Sequence, residues 1–359
     1  METIQSDSLK LQKAQTQSAD PFLWGLGMER ETMSSSNYEE TYMFSREFEL
    51  PWKKKSRQQL ELKQARKYEL HQEQWSQRYR QEIKRKFYRA LFFQERSNEI
   101  GKFVDTLKSM EKKIQDRVKH GESSQLDQLR LSQEGLKTEQ DFIEANSRFK
   151  NLVQELFMLT QCAQKGQRLE GSLAPEGNSN SISGQNTSFL IREMELQEIQ
   201  IQARQSGSGK LSSLELELGQ KRVQSGLIED RGWVAGIQAK FPVSSSQKRE
   251  GQRLQKLYAL EKSRLKEDQL RRKAEIESKK AELSLLKKRY QTSRKEMLPS
   301  SKRLLDLRQT SYFGGESTLV ELLDSYKLVY ENSLNQLEIA MNARNCLLEL
   351  ENLIWGLDE

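Results

Sequence analysis

The chain has 359 residues, of which 31% are charged and 35% hydrophobic, with 59 Lys and Arg against 52 Asp and Glu. That apolar share is low for two well-filled globular cores, so ordinary globules are not the expectation. Lys and Glu alternate through 245–300, so the net charge of +7 reads as solvated helix faces, not as a nucleic-acid surface.

The only histidines are His71 and His120, and the only cysteines are Cys162 and Cys346. A His- or Cys-based metal site is not expected, and neither is a cofactor. A Cys162–Cys346 disulfide is left open, with two thiols on helix faces as the expectation. No nucleophile motif, phosphate loop or metal spacing is present, so an enzyme is not expected. No 18-residue apolar run marks a transmembrane helix. Met1–Asp20 lacks an apolar core, so no signal peptide is read in the sequence given.

In chain order, 2–18 reads as a short amphipathic helix with Ile4, Leu9, Leu11 and Ala14 on its apolar face. Pro21 ends it. Phe22, Trp24, Leu26 and Met28 alternate with Leu23, Gly25, Gly27 and Glu29, and Tyr42, Phe44, Phe48 and Leu50 with Met43, Ser45, Glu47 and Glu49. Period two predicts strands over 21–30 and 41–51, each with one aromatic-rich face. From Trp52 to His120 there is no proline, and Ile100, Val104, Leu107, Ile114 and Val118 recur at helical spacing. Roughly 68 helical residues span about 100 Å. Gly121 suits a left-handed helix end, and Ser124-x-x-Asp127 caps the next helix. That helix carries Leu129, Leu136 and Ile143 at spacing seven, and Phe142, Phe149 and Leu156 likewise. Residues 163–186 read as an irregular linker around Pro175.

The pattern then restarts. A helix is predicted over 188–205, then strands over 211–220 (Leu214, Leu216, Leu218) and 231–242 (Trp233, Ala235, Ile237, Ala239, Phe241). A charged helix follows, with Ile276, Leu283, Tyr290, Met297 and Leu304 at spacing seven and a kink expected at Pro299. It ends at Phe313-Gly314-Gly315-Glu316-Ser317, and Thr318-x-x-Glu321 caps a last helix to about Ile354. The two halves match at a period of roughly 190 residues: Pro51 with Pro242, Gly121-Glu122-Ser123 with Gly315-Glu316-Ser317. The expected fold is mainly α with a small β part. It comprises a first repeat (1–162, hairpin 52–162), a linker (163–186) and a second repeat (187–359, hairpin 246–355). Four strands cannot close a membrane barrel alone, and their edges call for more chains. Alternation by itself leaves a soluble β-sandwich open.

Ser18-Ala19-Asp20-Pro21-Phe22, Glu296-Met297-Leu298-Pro299-Ser300 and the run Tyr312 to Tyr326 through Leu322-Leu323-Asp324 resemble the TolC-like outer-membrane efflux proteins over nearly the whole chain. The resemblance implies a homotrimer in which three chains form a twelve-strand barrel in outer-membrane lipid, continuous with a periplasmic helical tunnel. It implies a passive duct of a tripartite efflux system, with a periplasmic adaptor and an inner-membrane pump as partners. Glu321 and Asp324 match acidic positions of a pore-entrance ring, where grouped carboxylates attract cations; Glu321 reads equally as the capping acid. Tyr312 matches a tyrosine that helps hold the tunnel closed, but Ser317 stands where that contact has an arginine. Gly121, Ser123, Gly315 and Ser317 fall at the tips expected to meet the adaptor. The alternatives are a periplasmic adaptor-like protein, which has one hairpin and not two, and a soluble coiled-coil scaffold, which leaves the aromatic strands unexplained.

Overall fold

The computed structural model describes residues 24–34, 37–48, 50–121, 123–161, 168–175, 184, 186–207, 213–225, 228–240 and 245–357. The expected 2–18 helix, Pro21, Pro242, Cys162 and Glu122 lie outside them. The elements are β1 (Trp24–Ser34), β2 (Asn37–Phe48), α1 (Pro51–Lys119), α2 (Gln125–Thr160), α3 (Thr187–Gly207), β3 (Ser213–Ser225), β4 (Ile228–Lys240), α4 (Ser245–Thr292), α5 (Leu298–Phe313) and α6 (Leu319–Trp355). Two compact units divide the chain. One takes Met1–Gln72 and Phe189–Gln269; the other takes Glu73–Ser188 and Leu270–Glu359. Each unit thus draws on both sequence halves.

The first unit holds one antiparallel sheet in the order β1-β2-β3-β4. Its strands are longer than the expected 21–30, 41–51, 211–220 and 231–242 at their hairpin ends, where polar Glu29–Ser34 pairs with Asn37–Thr41. Alternation marks only the apolar part of a strand, whereas the backbone ladder continues through polar residues. The register stacks Leu26, Phe44, Leu218 and Ala235 in one row and Met28, Tyr42, Gln220 and Trp233 in the next. Paired residues share a face, so from Phe48/Leu214/Ala239 to Met28/Trp233, about 20 Å along the strands, this face is apolar except for Arg46, beside Trp24 and Leu216, and Gln220. It stays open in the single chain: Leu26 is 91% exposed and Trp233 78%. The next row, Arg30, Glu40, Arg222 and Arg231, is charged. Pro51, expected to end β2, starts α1, where its missing N–H leaves no helical bond unmade. Against the sheet's helices, Lys67 of α1 pairs with Glu198 of α3 at 3.2 Å, and Arg192 of α3 with Asp268 of α4 at 2.5 Å.

The second unit is helical. Ala90, Phe93, Leu152 and Val153 form one apolar cluster, with Phe149 against it, and Leu91, Leu173 and Ala340 another. Cys346 is a free thiol, buried among Leu283, Leu286, Ala343 and Leu350. Burial pushes its pKa up to about 11.

Two spacing-seven stripes do not pack as a single continuous seam. Leu129, Leu136 and Ile143 are each more than 60% exposed, so that face of α2 is unpartnered in the single chain. In the 276–304 stripe, Leu283 is 1% exposed, but Met297 and Leu304 face solvent. The reason is a π turn over Ser293–Met297, where the Leu298 N–H bonds to the Ser293 carbonyl, five residues back. The extra residue turns the helix by about 100°. The seam therefore moves by one position to Leu298, Leu305 and buried Tyr312. Pro299 falls in the first turn of α5, so the expected kink is a π turn that admits the proline.

Candidate functional site at the hairpin tips

Both tips are built by local chain chemistry. At the second, Gly315 adopts φ +80°. Its N–H bonds to the Tyr312 carbonyl at 3.1 Å, and the Glu316 N–H to the Ser311 carbonyl at 2.9 Å. This paired closure of a helix end needs the left-handed residue that glycine supplies without strain. Gly121 at the first tip has φ +74° and bonds through its N–H to the Val118 carbonyl at 3.0 Å. Ser123 and Ser317 follow these turns, both half-buried. The Ser317 hydroxyl oxygen is buried without a partner among the described residues.

The next helices begin with caps. The Asp127 N–H donates to the Ser124 hydroxyl at 3.1 Å. At α6 the exchange is reciprocal: the Glu321 N–H donates to Thr318 Oγ1 at 3.3 Å, and the Thr318 N–H to Glu321 Oε2 at 3.0 Å. Arg308 of α5 faces the same carboxylate at 3.6 Å. Glu321 is therefore held by its own helix start and by a cation. Asp324, one turn on, is exposed and has no hydrogen bond or ion pair among the described residues. Of the two sequence-nominated carboxylates, Asp324 is the one free to face an ion.

A single apolar cluster joins the tips from beneath: Phe103, Leu107, Met110 and Ile114 of α1, Leu131 of α2, Tyr312 of α5, and Leu319, Leu322 and Leu323 of α6. Tyr312 is 9% exposed. The cation on the Tyr312 ring is Arg117 of α1, 5.1 Å from its centre. Lys113 lies 5.9 Å from Phe313. Phe103 stacks on Tyr330 with centroids 4.4 Å apart. Burial first, then the Asp141 charge, lifts the Tyr330 hydroxyl to about 12. Sequence reasoning missed Arg117 and Arg308. Their only signal is position, one in the last turn before Gly121 and one a turn and a half before Phe313, on helices already rich in Lys and Arg. Among the described residues, no three His, Cys, Asp or Glu side chains converge to hold a metal ion, and no helix is long and apolar enough to cross a membrane.

No protein-family model matches the sequence, and no curated protein matches it. Solved structures do. CusC, whose structures describe folding and transmembrane channel formation, superposes with a TM-score of 0.78 at 11% identity over 98% of this chain and 87% of that one. The outer membrane protein VceC of Vibrio cholerae gives 0.76 at 11% identity over 98% and 91%. The CmeC outer membrane channel of Campylobacter jejuni gives 0.71 at 13% identity over 99% and 83%. The sheet, the paired hairpins and these superpositions agree: the chain has the fold of the TolC-like outer-membrane channels.

Proposed function

We propose that the chain is the outer-membrane channel component of a tripartite efflux or secretion system, a passive exit duct for cargo delivered by an inner-membrane pump. The superposition on outer-membrane channels along almost the full chain carries this reading. The sheet supports it independently. One face is a largely apolar band, with Arg46 lying over the Phe48 ring inside it and a charged row beyond it, and the opposite face carries Glu29, Glu47, Glu215 and Glu217. That is the division of a barrel strand between lipid and lumen. Strands β1 and β4 are edges, and three copies of the sheet supply twelve strands without an open edge. The unpartnered Leu129, Leu136 and Ile143 face offers a second copy an apolar seam. A soluble scaffold would leave both surfaces open to water.

In this reading the chain sits in the outer membrane with its hairpins in the periplasm. Asp324 carries the entrance ring, three copies in a narrow opening attracting cations. Glu321 is chiefly the cap that sets the ring's helix. Tyr312, under Arg117, packs the tips closed, and Gly121, Ser123, Gly315 and Ser317 form the small-residue surface that the adaptor approaches.

Reconstitution tests this. Exported protein in lipid bilayers should be trimeric and conduct. A soluble monomer that neither joins membranes nor conducts, even behind an added signal peptide, defeats the reading.

A further inference from the structure

Within the second unit, a groove of about 420 Å³ opens between α1, α2 and the C-terminal end of α6. Its α1 wall carries Arg78, Arg85, Lys86 and Arg89. The intervals of seven and four place the three arginines on one helix face. Lys86 is engaged by Glu155 of α2 at 2.5 Å. The hydrogen bond and the charge of Lys86 hold the Glu155 carboxyl below its usual range. Arg78 and Arg85 make no hydrogen bond or ion pair among the described residues. Among the described residues Glu82 and Glu155 are the only acids lining the groove, so its four cations leave an excess of two positive charges.

The same groove holds unmet acceptors. Gln81 is 7% exposed, and its Nε2 donates to Glu351 Oε2 at 2.6 Å. That contact fixes the amide's orientation, because a carboxylate needs the donor side. Among the described residues its Oε1 is left buried without a donor, as is Oδ1 of Asn352. A buried acceptor without a donor costs stability. Guanidinium donors and amide acceptors thus line one groove.

We propose that this groove binds a glycerol-phosphate-type anionic polyol. Its phosphoryl oxygens meet Arg78, Arg85 and Arg89, and its hydroxyls donate to Gln81 Oε1 and Asn352 Oδ1. A phosphate monoester carries about two negative charges near neutral pH, which matches the excess, and planar guanidinium forks suit phosphoryl oxygens. The volume falls within the range of small-molecule pockets. Phosphoryl oxygens beside free hydroxyls come from a soluble monoester, which carries both charges, or from a phosphatidylglycerol headgroup, a diester that carries one. The lipid source rests on the channel reading, since it needs the chain at a membrane; the soluble ester does not.

The test is calorimetric titration of the detergent-purified full chain with glycerol 3-phosphate at low salt. One saturable site per chain is expected, weakened at least tenfold by Arg85→Gln/Arg89→Gln and unchanged by Lys108→Gln, elsewhere on α1. Methyl phosphate, which lacks the hydroxyls, should bind several-fold more weakly, and Gln81→Leu should remove most of that difference. In parallel, phosphatidylglycerol retained through delipidation is counted by mass spectrometry. Retention by the parent chain, lost in the double variant and without binding of the soluble ester, assigns the chemistry to the lipid. Neither source binding, or equal binding by parent and double variant, overturns the proposal. Should the double variant lose its helical signal, Arg78→Gln at an exposed, partnerless position gives the same comparison.

Discussion

Deleting Glu296, an exposed residue in the π turn, isolates what that turn does. The wild-type seam steps eight residues from Tyr290 to Leu298, then seven to Leu305 and seven to Tyr312. One deletion makes every step seven. A regular α-helix then keeps Leu298, Leu305 and Tyr312 on the seam, and no core contact is lost. Pro299 is left inside an unbroken helix, its ring against the Arg294 carbonyl and a ladder bond missing, at a cost of about 3 kcal/mol. At about 2 °C per kcal/mol for a chain of this size, the melting midpoint should fall by roughly 6 °C. Pro299→Ala alone should stay within about 1 kcal/mol of the parent, because the π turn already accommodates the ring. Combining the two should restore stability to within about 1 kcal/mol, a coupling near the full cost of the proline. Thermal unfolding by far-UV circular dichroism of all four proteins measures it. A deletion protein that melts with the parent, or a double variant as unstable as the single deletion, refutes the argument that the π turn exists to admit Pro299 and reset the seam.

Leu107, 1% exposed under the tips, should cost about 2–5 kcal/mol when replaced by alanine; Leu136→Ala, on the open face of α2, should leave monomer melting within about 0.5 kcal/mol yet weaken the trimer in crosslinking or sedimentation. Thr318→Ala should cost about 1 kcal/mol through the lost cap without altering ion selectivity, whereas Asp324→Asn should lower cation selectivity in bilayer recordings with no change in melting; unchanged selectivity removes Asp324 from the ring. The Cys346 thiol, raised from 9.0 to about 11 by burial, stays protonated when folded, so its contribution to stability is intact below pH 9 and lost as pH rises toward 11. In a Cys162→Ser background, maleimide labelling at pH 8 should therefore be slow in native protein and fast in denaturant; equal rates would show an exposed thiolate.

The sequence by itself determined what local chemistry decides. Period two wrote the apolar faces of all four strands, because a pleat sends alternate side chains to opposite sides. Gly121, Gly315, Ser124 and Thr318 wrote the helix ends, because caps and left-handed turns are closed within a few residues. Only the tertiary structure decided what depends on partners far along the chain. Spacing seven announced seams, but it could not say that Leu129, Leu136 and Ile143 would remain open. Nor could it say that the second seam would leave Met297 for Leu298, since one extra backbone residue shifts phase without changing composition. It nominated Glu321 and Asp324 together and marked Glu321 as a capping acid; the fold separated them by adding Arg308 to Glu321 and leaving Asp324 exposed. Arg117 over Tyr312, the burial of Cys346 and the gathering of both strand pairs into one unit share a cause. Each joins elements that meet only when the chain folds back on itself, and a one-dimensional pattern carries no record of which faces then touch.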